Sequence, residues 1–309
     1  MTVTVPVPPG AHASRHPGAR IPVSTYRVQF RQDFGFAEAA RLVPYLDRLG
    51  VTDVYTSPCF RANPQSQHGY DITNPGELSP SLGGELGWRE LVRALARLDM
   101  GLVLDFVPNH MGVDEPQANR WWWDVLENGR CSPYAHFFDI DWDPVKPELQ
   151  GKLLLPVLGD QYGRVLERGE LQLEYVDAGF HLRYYQRTFP VNPRSLPSLL
   201  RHEIEALQAR FDHADSDLRE FLSILTELGN LPSVRETDPV CVAERQREKE
   251  VARDRLDRLA QHSWRIREHI EACVRFFNGQ AGQPDTFRPL HELLERQAYR
   301  LAYWRTAFH

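Results

Sequence analysis

The chain has 309 residues, enough for one large domain or two to three smaller ones with a proper core. Hydrophobic residues make up 42% and charged residues 25%, which excludes a mostly disordered chain. The formal charge of −6 recommends no nucleic-acid partner, and no stretch approaches the roughly 20 apolar residues that span a bilayer, so no membrane partner is expected either. The first twenty residues lack a basic segment followed by an apolar one, so they read as a flexible arm rather than a secretory signal. Cys59, Cys131, Cys241 and Cys273 are far apart and form no C-x-x-C pair, which argues against a disulfide framework or zinc ribbon and for a cytoplasmic enzyme.

Ser24 to Phe30 alternates with period two and predicts a strand. Phe36, Ala39, Ala40, Val43, Leu46 and Leu49 recur at helical spacing up to Gly50. Val51 to Tyr55 predicts a second strand, and Leu86, Leu91, Val92, Leu95 and Leu98 a second helix. The nearly all-apolar run Gly101 to Val107 predicts a strand buried on both faces. Strand, helix, strand, helix, strand in this order predicts an α/β fold with parallel strands.

From about residue 111 to 190 the alternation gives way to segments rich in Trp, Tyr, Pro and Gly, an irregular insertion with a small sheet. Beyond about 195 the pattern is helical. One stripe runs through Leu218, Phe221, Leu222, Leu225 and Leu228. A second, Leu256 to Phe277, is expected on one long helix starting near Val240, and a third runs from Leu290 to Trp304. Between Glu244 and Arg258 six basic residues alternate with five acidic ones, the pattern of a solvated helix face laced with i,i+4 pairs.

Two clusters fall at the carboxyl ends of predicted parallel strands, where such folds carry their sites: Gln67-His68-Gly69-Tyr70-Asp71 and Asp105-Phe106-Val107-Pro108-Asn109-His110. A carboxylate at the end of an apolar run needs a cation or several donors, and an arginine on the next strand would be a natural partner for Asp105. The plainer reading, ordinary loop histidines beside a satisfied structural acid, stays open for each residue alone. The Trp121-Trp122-Trp123 and Tyr184-Tyr185 runs suit either sugar platforms or core packing.

The segment from Asp105 to His110 resembles the first signature region of the α-amylase superfamily, glycoside hydrolase family 13, and His68-Gly69-Tyr70-Asp71 resembles its sugar-contacting loop. With Pro22 to Phe30, Tyr55-Thr56-Ser57-Pro58 and Glu292 to Arg305, the combination is similar to the maltooligosyl trehalose synthase branch. The resemblance implies a partial (β/α)8 TIM barrel, its first three β/α strands over 21–110, and a large, mostly helical insertion over 111–285. It also implies a helix over 286–309 that leads back to the barrel and is truncated before strand 4. Tyr70 would stack on the transferred glucosyl ring, His110 would donate to a sugar hydroxyl, and His68 would assist. Asp71, Asp105 and Asn109 would support the loops. No acidic cluster accompanies Asn109, so neither a metal nor a cofactor is expected.

The implied activity is intramolecular transglucosylation of maltooligosaccharides, converting the reducing-end α-1,4 bond to α,α-1,1 as an isomerase would. The family works with two carboxylates roughly 5–5.5 Å apart, one a nucleophile in an Arg-x-Asp motif after the fourth barrel strand. No apolar run after Asp105 ends in Arg-x-Asp. The catalytic acids are therefore expected beyond His309, with the missing C-terminal part of the same enzyme as a possible partner and the chain inactive alone. Another superfamily hydrolase or transglycosylase, and a non-catalytic glucan-binding fragment, are the alternatives.

Overall fold

The computed structural model describes residues 21–212 and 215–308, in two compact units, Met1–Val113 and Asp114–His309. The expected N-terminal arm, 1–20, lies outside the described residues.

In the first unit, β1 (Thr25–Val28), β2 (Asp53–Thr56) and a later strand form a parallel three-stranded sheet. Between the first two lies helix α1 (Phe36–Arg48), whose start is closed by the Glu38 carboxylate accepting the Gly35 N–H at 3.1 Å. Its stripe Phe36, Ala39, Ala40, Val43 and Leu46 is buried throughout, and the left-handed Gly50 (φ 85°) turns the chain into β2. A short hairpin, β3 (Phe60–Ala62) with β4 (Ile72–Leu78), follows β2 and carries the loop that holds His68 to Asp71. Helix α2 (Gly84–Arg97) then packs on α1, and β5 (Gly101–Leu104) completes the sheet in the order β1-β2-β5.

Period-two geometry divides the sheet into two faces. Val28, Val54 and Leu102 pack with the apolar stripes of α1 and α2 into one core. The register Arg27↔Tyr55↔Val103 puts these three on the opposite face. Burial of β5 on both faces is not observed: Val103 is 38% and Leu104 44% exposed. β5 pairs with β2 alone among the described residues, so the apolar run lacks the second neighbour that would cover it. The described residues form no closed barrel.

The second unit begins with α3 (Arg120–Asn128), capped by the Asn119 side chain accepting from Trp121 N and Trp122 N. Next come β6 (Leu153–Leu158), α4 (Tyr162–Glu167) and the antiparallel meander β7 (Leu171–Val176), β8 (Gly179–Tyr184) and β9 (Arg187–Pro190). Helices α5 (Leu196–Leu200), α6 (Ile204–Gln208) and α7 (Ser216–Asn230) follow. They build one apolar core with the elements after them. Trp122 and Tyr184 belong to that core; Tyr185 is exposed.

Three sequence expectations need correction here. The long helix from Val240 to Phe277 is two, α8 (Pro239–His262) and α9 (Trp264–Phe277), broken at Ser263. Arg267 on α9 donates to the Ala260 and Gln261 carbonyls, satisfying acceptors at the end of α8 that a continuous helix would have used. The stripe from Leu290 to Trp304 is also not one helix. It splits into α10 (Arg288–Leu294) and the strand β10 (Tyr299–Tyr303), which pairs in parallel with β6. The apolar residues at 299 and 301 therefore follow a period of two, not 3.6.

The charged stretch of α8 is a solvated face only in part. Arg245 and Lys249 are buried and continue, through Ala252 and Leu256, the face that meets the core. Arg245 donates to Asn128 Oδ1 (2.9 Å), Asn192 Oδ1 (2.8 Å) and the Pro232 carbonyl (2.6 Å). Lys249 lies 2.5 Å from Glu127 and 3.1 Å from Asp124. The partners at those two positions come mainly from other elements, while Glu250 pairs with Arg253 along the helix.

Candidate functional site

The site is built on the face of the first sheet opposite α1 and α2. Arg27 on β1 and Tyr55 on β2 are register partners, and Tyr55 faces Val103 on β5. Two residues beyond Val103 the chain still follows β2, with Asp105 N donating to Thr56 O at 3.2 Å. The side chain of Asp105 therefore emerges on the same face as Arg27 and Tyr55.

The loop between β3 and β4 brings Tyr70 to this carboxylate. Asp105 Oδ2 accepts from the Tyr70 hydroxyl at 2.5 Å and from the Tyr55 hydroxyl at 3.2 Å. Arg27 donates to the Tyr70 oxygen at 3.0 Å and stands 3.8 Å from Asp105. Its guanidinium also lies over the Tyr55 ring, 5.5 Å from the centroid. The hydrogen bond to Asp105 raises the Tyr70 pKa above the ordinary phenol value, so the proton stays on Tyr70 at neutral pH. Desolvation would lower Arg27, but its contacts with Tyr70 and Tyr55 raise it overall.

The loop itself is held from within. Asp71 accepts from the Ser66 hydroxyl and from Asn63 Nδ2 at 3.0 Å, and Ser66 Oγ accepts the Gly69 N–H at 3.0 Å. Gly69 is left-handed (φ 78°), and a Cβ there would meet the Pro58 carbonyl at 3.2 Å. His68 Nδ1 accepts the Tyr70 N–H at 3.0 Å, which in the neutral imidazole puts the proton on Nε2. The two rings are tilted at 35° with centroids 5.9 Å apart.

His110 and Asn109 fall in the exposed stretch after β5 and make no hydrogen bond among the described residues. Their segment meets the other loop at Gly112, whose N–H donates to Ile72 O at 2.8 Å. A Cβ on Gly112 would stand 2.6 Å from the Asp71 carbonyl oxygen. Asp105, Tyr70, His68 and Asp71 are thus drawn into one bonded assembly, and Asn109 and His110 are not. Arg27 and Tyr55 were given no role by sequence reading. The signal was available: counting by twos along three parallel strands puts both on the face of Asp105. An arginine on the next strand was expected beside Asp105; the one that approaches it, Arg27, is on β1, two strands away, with Tyr55 on the strand between.

With both phenols and Arg27 around it, Asp105 Oδ2 is occupied, so the arrangement orients an aromatic ring rather than supplying a free nucleophile. After Asp105, Arg-x-Asp spacing does occur in Arg255-Leu256-Asp257, but on helix α8, and in Arg210-Phe211-Asp212, in the turn after α6. No described strand ends in this motif. No cluster of three or more metal-ligating side chains exists among the described residues, and none of their helices is long and apolar enough to cross a membrane. The four cysteines are unpaired.

Comparison with known proteins finds likenesses over part of the chain. Residues 39–165 match the alpha amylase catalytic domain, a family whose fold is TIM-barrel-like. A Mycobacterium tuberculosis protein named for maltooligosyl trehalose synthase is 46% identical over 164 residues, covering 49% of this chain and 21% of that protein. The maltooligosyltrehalose synthase structure from Arthrobacter ramosus is 45% identical over 55% of this chain and 21% of its own, with a TM-score of 0.50. A glycosyltrehalose synthase covers 91% of this chain and 27% of its own at TM-score 0.56; at 23% identity it speaks for the fold alone. The chain spans about a fifth of the length of the curated relatives it matches (21%). Residues 39–165 thus resemble the alpha amylase catalytic domain, in a chain similar over about half its length to maltooligosyl trehalose synthases.

Proposed function

We propose that this chain supplies the first three β/α strands of a (β/α)8 barrel and one wall of the sugar site of a maltooligosyl trehalose synthase. The observation that carries the reading is the Tyr70–Asp105 hydrogen bond, which fixes an aromatic ring at the strand ends beside His68. Tyr70 would lie against the glucosyl ring being transferred, its face matching the apolar face of the sugar. His110 and the Nε2 of His68 would donate to sugar hydroxyls. Asp105 and Asp71 would hold Tyr70 and its loop, with Asn109 supporting the rim.

The reaction on this reading breaks the last α-1,4 bond of a maltooligosaccharide, keeps the released glucose in place, and rejoins it through its anomeric hydroxyl as an α,α-1,1 bond. Excluding water matters because water would divert the glycosyl intermediate to hydrolysis. The two bond-breaking carboxylates would come from polypeptide outside these 309 residues, so the chain alone is expected to form no trehalose. A cytoplasmic setting fits four unpaired cysteines.

The test replaces the corresponding segment of the Arthrobacter ramosus synthase with this chain and incubates the hybrid with maltopentaose. Loss of reducing ends without released glucose supports the proposal. Maltotetraose plus glucose alone, from a folded hybrid, would favour a hydrolase instead.

A further inference from the structure

Arg27 stands in the Tyr70 assembly without a part in the reaction proposed above. It belongs to β1, and Gln29, two residues on, continues the same face of that strand. The guanidinium is used as a fork. Its Nη1 donates to Gln29 Oε1 at 2.9 Å, and its Nη2 to the Tyr70 hydroxyl oxygen at 3.0 Å. The Gln29 amide nitrogen in turn lies 3.2 Å from the Phe30 carbonyl oxygen and 3.5 Å from that of His68. Arg27 and Gln29 together therefore reach the Tyr70 loop at two points, the phenol and the His68 backbone. The Tyr55 ring lies under the guanidinium and holds it at the strand ends.

A phenol has a single proton to donate. At Tyr70 that proton goes to Asp105 Oδ2 across 2.5 Å, and Arg27 gives the phenol oxygen a donor in return. The hydroxyl is thus engaged on both sides, and the ring face is what remains for contact. Without Arg27 the phenol oxygen would accept from any hydroxyl that reached it, and a sugar could be held at the ring edge instead of against its face.

The charges around Tyr70 agree with this division. The Asp105 carboxylate disfavours the ionised phenol and raises its pKa, while Arg27 works in the opposite direction. The other groups about the ring are the Tyr55 hydroxyl, which also donates to Asp105, and His68 and Asp71 of its own loop. Among the described residues only Arg27 donates to the phenol oxygen.

The geometry assigns Arg27, held by Gln29, as a positioning residue of the sugar site: by engaging the acceptor side of the Tyr70 hydroxyl, it makes Tyr70 present its ring face, not its oxygen, to the glucosyl ring. The assignment rests on the reading that Tyr70 lines a sugar site, and it deepens that reading by naming what sets the ring's presentation. The experiment uses the full chain with ring-labelled tyrosine, the Tyr70 signal being assigned from Tyr70→Phe, and compares the parent with Arg27→Met, Arg27→Lys and Gln29→Met. Arg27 is 41% exposed, and Asp105 keeps both phenol donors in its absence, so the melting temperature should change little. In Arg27→Met the Tyr70 ionisation should move to higher pH, because the cation that favours the phenolate is gone. Arg27→Lys should restore it, and Gln29→Met, which unties the guanidinium, should fall between. A merely structural role would free Tyr70 from Asp105 as well, and the ionisation would then move to lower pH. Maltotriose should shift the Tyr70 signal about fivefold more weakly in Arg27→Met, the effect of one lost hydrogen bond. Arg27→Lys should not recover that affinity, because an ammonium carries the charge without the planar fork. A Tyr70 ionisation that stays in place or falls in a folded Arg27→Met, or an unchanged maltotriose affinity in that variant, would overturn the assignment. A parent chain that ignores maltotriose would strike the sugar reading instead, and the ionisation series would still decide whether Arg27 governs the Tyr70 hydroxyl.

Discussion

The Tyr70 hydroxyl donates to Asp105 Oδ2 across 2.5 Å, although 35 residues separate the two in the chain. That bond ties a loop after the second strand of the sheet to the end of the third. It gives the carboxylate the neutral donor that an acid at the end of an apolar run requires.

Asp105→Ala should therefore loosen Tyr70 more than it loosens the fold. Asp105 is partly covered and lies at a strand end, so the expected loss of stability is about 1 kcal/mol, one modest hydrogen-bond contribution. Tyr70 would lose its raised pKa in this variant. A phenol whose folded pKa lies above its unfolded value stabilises below the unfolded value, near 10, and loses that contribution as pH rises through the folded one. Ultraviolet titration should show one tyrosine ionising earlier in Asp105→Ala than in the parent; identical curves would contradict the assignment.

Gly112→Ala should disturb the same loop from the other side. Its new Cβ would press 2.6 Å from the Asp71 carbonyl oxygen, a backbone atom with no rotamer to yield. Overpacking of this kind costs about 1–3 kcal/mol, to be read from urea unfolding. A cost below about 0.5 kcal/mol, the ordinary range for a surface change, would mean that the two loops are not in contact.

In the second unit, Lys249→Met should be destabilising, by about 3 kcal/mol, because it leaves the buried Glu127 with Arg253 as its remaining cation. Glu127→Gln combined with Lys249→Met should recover part of that loss. The pH dependence follows from both partners. Burial would raise Glu127, but Lys249 and Arg253 hold it below the usual range; its contribution is present above about pH 4.3 and fades as pH falls through the lower folded value. Burial would lower Lys249, but Glu127 and Asp124 raise it; that contribution is present below about pH 10.4 and fades as pH climbs through the higher value. Between those limits the difference between parent and Lys249→Met should be flat in urea titrations.

The uncovered strand β5 should make the isolated chain self-associate. Val103, Leu104 and Phe106 are exposed along an edge with a single strand neighbour among the described residues. Leu104→Lys should shift light-scattering profiles toward monomer. An equally associated variant would place the contact elsewhere.

The alternating strands and the stripe of α1 were legible because local pattern and packing agree there: Phe36, Ala39, Val43 and Leu46 are both periodic and buried. Reading failed where burial is carried by charge. Arg245 and Lys249 occupy core positions on α8, and partners on other elements, Asn128, Asn192 and Glu127, make that affordable. It failed again at Leu301, where one apolar residue served a strand period as easily as a helical one until β6 was seen beside it. At the site, Asp105 and Tyr70 were found by their motifs, whereas Arg27 and Tyr55 needed the strand register.

The most direct measurement is a titration of maltotriose into the chain with ring-labelled tyrosine, the Tyr70 signal being assigned from Tyr70→Phe. If Tyr70 lines a sugar site, its resonance moves saturably, and Asp105→Ala weakens the response about tenfold, as expected when a hydrogen bond to a charged group no longer holds the ring. A Tyr70 resonance that stays in place at saturating sugar, or an Asp105→Ala chain that responds as the parent does, would contradict the account.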